Sequence, residues 1–179
     1  SADYSSGIND AVVAAAEENG LEIVADEAYT TDNNTDFSVQ LGKIKDSGAE
    51  LLFLPNYYSD NALILQQAHD LGLDMKIFGV DGMDGILNVE NFDKSLAEGV
   101  MLLTPFSATA TDEKSQNFVK AYGDAHNGEI PNQFAADTYD VLYAMQLAAD
   151  DAKITPDMEN ADISAAMSAS MAVSYTHLR

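Results

Sequence analysis

Residues 51–72, LLFLPNYYSDNALILQQAHDLG, combine a strand pattern and a helix pattern around a short polar connection. The uninterrupted apolar run LLFL predicts a buried strand of a parallel sheet. After the proline, the segment that Gly72 ends has apolar residues at helical spacing. The stretch therefore predicts a strand followed by a helix, with Tyr57 and Tyr58 at the point where the strand ends.

The same alternation continues in both directions from this stretch. Apolar runs predict strands at residues 21–25, 51–54, 76–80 and 100–104, and helical patterns fill the intervals. Strands that alternate with helices form βαβ units, so the sequence predicts an α/β fold, a three-layer arrangement with a parallel sheet and helices on both faces. After residue 128, two long amphipathic helices follow without a strand.

Both ends of the chain depart from this alternation. A helical pattern at residues 8–19 comes before any predicted strand. Because the first helix of a βαβ series normally follows a strand, we expect a strand to precede the chain, which would make it a fragment. The closing residues SYTHLR resemble translated adapter sequence, and we predict a non-native tail at residues 172–179.

Composition excludes several classes of function. Eight basic residues against thirty acidic ones give a net charge of −22, which repels phosphate backbones and disfavours nucleic acid as a partner. The absence of cysteine excludes disulfides, thiol catalysis and cysteine-based metal sites. The sequence contains no G-x-S-x-G, P-loop or G-x-G-x-x-G motif, and DNNTDF at residues 32–37 fails the calcium-loop pattern, so we expect no enzyme, cofactor or metal.

Five polar or aromatic residues are predicted to follow the strands. Ligands of open parallel sheets bind beyond the carboxyl ends of the strands. Tyr4 would follow the expected preceding strand, Tyr57 and Tyr58 follow the strand at 51–54, and the next strand leads into Asp81 and Asp84. These residues are therefore the candidate ligand-binding residues.

The chemistry of this set suits a small zwitterion with an apolar side chain. A carboxylate can pair with an ammonium group, and tyrosine rings offer flat apolar walls with a polar tip. The alternatives are structural: a tyrosine can simply end a strand, and Asp81 lies in DGMDG, which is also turn chemistry. An acid–base pair of Asp81 and Asp84 is the enzymatic alternative, but no nucleophile accompanies it.

Several motifs together resemble a known family. DYSSG, FGVDGMDG, AEGVMLLTPFS, PNQFAADTYDVLYA and the segment around LLFLPNYYSD resemble the substrate-binding proteins of branched-chain amino acid ABC transporters, which have the type 1 periplasmic-binding fold. The resemblance implies two α/β lobes that close over an amino acid. It implies that residues 1–132 are most of the second, C-terminal lobe without its first strand, and that residues 133–171 are helices returning to the first lobe.

The resemblance also implies roles for the candidate residues. Tyr4 matches a tyrosine that lines the pocket, Tyr57 one that packs on the ligand, and Asp81 the acidic residue that pairs with the ligand α-ammonium. Some relatives have Glu at that last position. Tyr58 and Asp84 are neighbours of these residues. The groups that hold the ligand carboxylate belong to the first lobe, so we expect weak amino-acid binding by these residues alone.

The function implied is capture of a small amino acid, branched-chain or aliphatic by family default, for delivery to a membrane permease of an ABC transporter. The implied location is extracytoplasmic, in the periplasm or as a cell-surface lipoprotein, with the signal and anchor outside these residues. Relatives that bind other amino acids, amides or small acids leave the ligand open. The alternative function is a ligand-sensing domain of a receptor or regulator with the same fold.

Overall fold

The computed structural model describes residues 2 to 174. In chain order its principal elements are α1 (Ala2–Asn19), α2 (Ser38–Ser47), β1 (Leu51–Leu54), α3 (Tyr58–Asp70), β2 (Lys76–Gly79), β3 (Met101–Leu102), α4 (Glu113–Ala125), α5 (Gln133–Asp151) and α6 (Asn160–Ser174). Three short 3-10 helices, Asp81–Met83, Ile86–Asn88 and Lys94–Ala97, lie between β2 and β3. The chain divides into two compact units, Ser1–Pro105 and Phe106–Arg179.

The first unit is built on a parallel sheet in the order β1-β2-β3. Four residues of β1 pair with four of β2, from Leu51 opposite Lys76 to Leu54 opposite Gly79. The least apolar of the predicted strands, β2, is the central one, because it has a partner on each side. The predicted α/β class with a parallel sheet is confirmed.

The prediction of a strand at residues 21–25 is wrong. This segment is irregular, and it pairs with no strand among residues 2–174. A strand exists only through hydrogen bonds to a neighbouring strand, whatever its composition. Leu21, Ile23 and Val24 consequently keep 68%, 46% and 44% of their surface exposed.

The core of the first unit lies between β1 and α3. Leu52 and Leu54 are buried on the face of β1 that meets the apolar side of α3, where Leu65 and Ala68 are buried. Phe53, on the opposite face, stacks on Phe78 of β2 with ring centroids 6.2 Å apart. Burial along β1 therefore alternates, whereas the uninterrupted apolar run led us to expect burial of every residue.

Two helices begin earlier than the sequence pattern predicts. α1 already includes Tyr4, which we expected in a loop ahead of the helix. α3 begins at Tyr58 without a side-chain cap, although we expected Ser59 or Asp60 to cap it. The Asp60 carboxylate instead accepts hydrogen bonds from the Tyr29 hydroxyl at 2.7 Å and from an Asn34 side chain at 3.3 Å.

The segment before α2 is fastened to α3. Gln67 of α3 accepts a hydrogen bond from the backbone N–H of Phe37 at 2.7 Å and donates one to the Thr35 carbonyl at 2.9 Å. Phe37 is buried, and Tyr29 packs edge-on against it at 4.9 Å between centroids. These contacts, together with the two at Asp60, attach the irregular segment before α2 to α3.

The second unit contains α4, α5 and α6. Asp112 caps α4 as predicted, since its carboxylate accepts the Ser115 N–H at 3.0 Å. α5 and α6 pack against each other, and the Ser170 hydroxyl donates to Asp151 at 2.8 Å. The boundary predicted at residue 132 stays a prediction, and the predicted tail at 172–179 lies largely outside the described residues. No described helix is long and apolar enough to cross a membrane.

We predict that Leu65→Ala lowers the free energy of unfolding by about 2 to 5 kcal/mol, because it opens a cavity between α3 and β1. Leu63→Ala is the matched control, since Leu63 lies on the same helix and is 43% exposed whereas Leu65 is 2% exposed. Urea unfolding followed by circular dichroism measures both. Equal losses for the two variants would contradict the assignment of the core.

Candidate functional site

The register of β1 and β2 brings two connections to one edge of the sheet. Leu54 and Gly79, the last residues of these strands, are paired with each other. The chain leaves β1 towards Asn56 and leaves β2 towards Asp81, so both connections start beside one another at the carboxyl edge. This edge is where ligands of open parallel sheets bind.

Tyr4 joins α1 to the connection after β2. Its hydroxyl donates a hydrogen bond to Asp81 Oδ1 at 2.6 Å and accepts one from the backbone N–H of Gly82 at 3.0 Å. The phenol therefore uses its proton and a lone pair at once, and it contacts residues 77 and 78 positions further along the chain. This contact fixes the start of α1 over the sheet edge.

The environment keeps the Tyr4 phenol neutral. Burial raises the pKa of Tyr4 to about 12, and the hydrogen bond to Asp81 acts in the same direction because it is made only by the protonated phenol. The Gly82 N–H opposes this effect, since it would stabilise a phenolate. At neutral pH the pair is a protonated phenol beside a carboxylate.

Tyr57 completes the cluster. Its ring stacks on that of Tyr4, with centroids 4.7 Å apart and planes inclined by 24°. Tyr57 occupies the N-cap position of α3 in an extended backbone conformation, with φ −75° and ψ 158°. It remains 38% exposed, so the stack presents an aromatic surface next to Asp81.

Two glycines allow this close packing. A Cβ at Gly82 would stand 2.8 Å from the Tyr4 hydroxyl oxygen and 3.2 Å from the Asn56 carbonyl oxygen. A Cβ at Gly79 would overlap the side chain of Met83, which is completely buried. The sheet edge thus has no room for side chains at these positions.

The structure brings together three of the five predicted residues: Tyr4, Tyr57 and Asp81. Tyr58 is the exposed first residue of α3, and Asp84 is the C-cap of the 3-10 helix Asp81–Met83, its N–H donating to the Asp81 carbonyl at 3.0 Å. These two adjoin the cluster along the chain. That all five bind a ligand stays a prediction.

Sequence reasoning missed the polar residues beneath the cluster. Asn56 and Asn61 are both buried, and the Asn61 side chain donates to the Asn56 carbonyl at 2.9 Å. One signal in the sequence could have revealed them. Asn61 lies beside Ala62 on the side of α3 that faces the core, and a polar residue is unusual there.

The chemistry of the cluster favours a cationic group with an apolar neighbour. Asp81 supplies a negative charge, and the Tyr57 ring supplies an aromatic surface that suits both a cation and an aliphatic chain. Among the residues that the structure describes, no group of three His, Asp or Glu side chains could hold a metal ion. The carboxylate of Asp81 beside the Tyr57 ring suits an ammonium group.

Comparison with known proteins places the chain in a family. The family described as "Periplasmic binding protein" matches residues 1–178, and the chain belongs to it. "Leu/Ile/Val-binding protein homolog 4" of Brucella abortus is 32% identical over 121 residues, covering 66% of this chain and 29% of that protein. The "Leucine-, isoleucine-, valine-, threonine-, and alanine-binding protein" of Pseudomonas aeruginosa is 25% identical over 66% of this chain and 31% of its own length.

Solved structures agree with this assignment. The branched-chain amino acid transporter substrate-binding protein LivJ of Streptococcus pneumoniae, in complex with isoleucine, is 28% identical with a TM-score of 0.73. The leucine-binding protein LivK of Thermotoga maritima is 23% identical with a TM-score of 0.74, a likeness in fold. Each match covers 92% of this chain and 45% of the other, so the chain spans less than half of these proteins. The predicted family and type 1 periplasmic-binding fold are confirmed.

We predict that the stability of the protein falls as pH rises from 10 to 12, and that Tyr4 causes part of the fall. The pKa of Tyr4 is higher in the folded protein than the ordinary tyrosine value of 10.0, so the protonated phenol stabilises the fold. This contribution is fully present below pH 10 and is lost as the pH rises through about 12. Burial also raises the pKa of Tyr29, so Tyr4→Phe should reduce the fall without abolishing it. Urea unfolding at pH 9 and pH 11 measures the difference, and an unchanged pH dependence in Tyr4→Phe would contradict the prediction.

We predict that the Cβ of Gly82→Ala displaces the Tyr4 hydroxyl. The hydrogen bond from this hydroxyl to the Asp81 carboxylate is then lost, which lowers the free energy of unfolding by about 1 to 3 kcal/mol. Gly42→Ala in α2 is the control, because a Cβ there meets nothing within 4 Å. Urea unfolding and the near-ultraviolet circular dichroism of the tyrosines measure both variants. Equal stability and unchanged tyrosine signals in Gly82→Ala would refute the close contact.

Proposed function

We propose that this chain supplies the ammonium-binding half of a site for a small aliphatic amino acid in an extracytoplasmic solute-binding protein. The observation that carries the proposal is the cluster of Tyr4, Tyr57 and Asp81 at the carboxyl edge of the parallel sheet. The names of the relatives support leucine, isoleucine and valine as the first ligands to test.

Each residue of the cluster has a proposed role. Asp81 pairs with the α-ammonium of the ligand, because an ion pair with hydrogen bonds is the usual way to bind a cation away from water. Tyr4 holds the carboxylate of Asp81 in place through its neutral hydroxyl. Tyr57 offers its ring to the aliphatic part of the ligand. Tyr58 and Asp84 are proposed to border the same pocket.

The rest of the binding shell is proposed to come from a second lobe. A zwitterion has two charged ends, and burying its carboxylate without a partner would be costly. The two lobes would close over the amino acid, which stabilises the closed state because both lobes contact it only there. The closed protein would then deliver the amino acid to a membrane permease of an ABC transporter, as a binding protein without enzymatic activity.

We predict that Asp81→Asn in the full-length protein weakens isoleucine binding about 30-fold or more, because the amide keeps the shape of the carboxylate and removes its charge. Thermal shift with leucine, isoleucine and valine, followed by calorimetry, measures the loss. Asp124→Asn is the control, since Asp124 is exposed and lies in the second unit. Unchanged affinity in Asp81→Asn would remove Asp81 from this role.

A modified ligand tests the same contact without a mutation. N-acetyl-isoleucine keeps the aliphatic side chain and the carboxylate and has no ammonium group, so the wild-type protein should not bind it. Isoleucine methyl ester has the reverse change and isolates the contribution of the carboxylate. Equal binding of isoleucine and N-acetyl-isoleucine would refute the ammonium site.

A further inference from the structure

Asn61 is a fully buried polar side chain beneath the candidate site. Its Nδ2 donates a hydrogen bond to the backbone carbonyl of Asn56 at 2.9 Å. Its Oδ1 is buried and has no hydrogen-bond partner among the described residues. The reverse orientation of the amide would face two oxygens with each other, so the Asn56 carbonyl fixes the orientation.

Asn61 makes hydrogen bonds to the peptide groups on both sides of Tyr57, a residue of the candidate site. The backbone N–H of Asn61 donates to the carbonyl of Tyr57 at 3.0 Å, as the first turn of α3 requires. Its side chain donates to the carbonyl of Asn56, which belongs to the same planar peptide unit as the Tyr57 nitrogen. Asn61 therefore holds the peptide units on both sides of Tyr57, and with them the backbone dihedral angles of that residue.

The Asn56 carbonyl also meets the other side of the site. Its oxygen lies 3.2 Å from the position of a Cβ on Gly82, whose N–H donates to the Tyr4 hydroxyl. A shift of this carbonyl would move the peptide that carries the Tyr57 ring, which stacks on Tyr4. Asn61 is in this way connected to both tyrosines without contacting a ligand.

The unpartnered oxygen distinguishes Asn61 from an ordinary core residue. A buried acceptor without a partner destabilises the fold, and an apolar side chain of similar shape would remove that penalty, but it would leave the buried Asn56 carbonyl without its Asn61 donor. These two effects on the free energy of unfolding oppose each other. What an apolar residue cannot do is hold the Asn56 carbonyl in place.

We propose that Asn61 is a positioning residue of the binding site, whose side chain fixes the Asn56–Tyr57 peptide and so holds the Tyr57 ring against Tyr4. The proposal rests on the proposed function, since positioning matters through the ligand that the tyrosines bind. Its first test needs no ligand.

The test measures how Tyr4 reacts with tetranitromethane at pH 8, mapped by peptide mass spectrometry. The reagent attacks the phenolate, so a pKa of about 12 in place of 10.0 slows Tyr4 by about 100-fold. The variants are Asn61→Leu and Asn61→Ala, and the smaller alanine cannot overpack the core. In both, loss of the Tyr57 stack should expose Tyr4 and lower its pKa. A fall of one pKa unit speeds the nitration of Tyr4 about tenfold, and we expect at least this increase. Tyr143, which is exposed, serves as the reference within each sample.

Two control variants separate positioning from stability. Asn19→Leu removes the same kind of bond, from an Asn side chain to the Ala15 carbonyl at 2.7 Å, at an exposed position. Leu65→Ala destabilises the same helix without touching the Asn56 carbonyl. Both should leave nitration of Tyr4 at the wild-type rate.

Three results would overturn the proposal. The first is an unchanged nitration rate of Tyr4 in both Asn61 variants. The second is an equal rise in that rate in Leu65→Ala, and the third is loss of folding in both Asn61 variants while Leu65→Ala folds.

Calorimetry with isoleucine on the full-length protein is a second experiment, in which Asn61→Leu should bind about tenfold more weakly than wild type. Equal binding by wild type and Asn61→Leu would also overturn the proposal, whereas a wild type that binds no amino acid refutes the proposed function and leaves Asn61 to the nitration result.

Discussion

The parallel pairing of β1 with β2 is the constraint on which the rest of the site depends. Because Leu54 lies opposite Gly79, the two connections leave the sheet at the same level and on the same edge. A shift of one residue would turn each strand over and place its buried side chains on the other face. The core between β1 and α3 therefore holds the register, and the register holds Asp81 near the tyrosines.

The Tyr4 hydroxyl converts this edge into a defined cluster. It connects a helix at the start of the chain to a carboxylate and an N–H after β2, over distances of 2.6 Å and 3.0 Å. Such a short bridge requires that Gly82 has no side chain, since a Cβ would stand 2.8 Å from the hydroxyl oxygen. Packing and polarity therefore constrain the same few atoms, which is typical of a preorganised binding site.

The buried polar groups around α3 show how an irregular connection is held in place. Asp60 and Gln67 fasten the segment before α2, while Asn61 fastens the connection after β1. All three residues belong to one helix, so α3 holds both the irregular segment before α2 and the connection after β1. Its apolar residues make the core, and its polar residues decide where the loops run.

The sequence by itself determined the α/β class, the strands β1 and β2 and the helices, and it named the three residues of the cluster among five candidates. Apolar runs, helical spacing and family motifs are local patterns, and local patterns suffice for these features. Only the tertiary structure decided that residues 21–25 do not pair, that Tyr4 lies on a helix, and that Asn61 supports Tyr57. The reason is physical: strand pairing, stacking and a hydrogen bond between residues 4 and 81 depend on distances that no local pattern encodes.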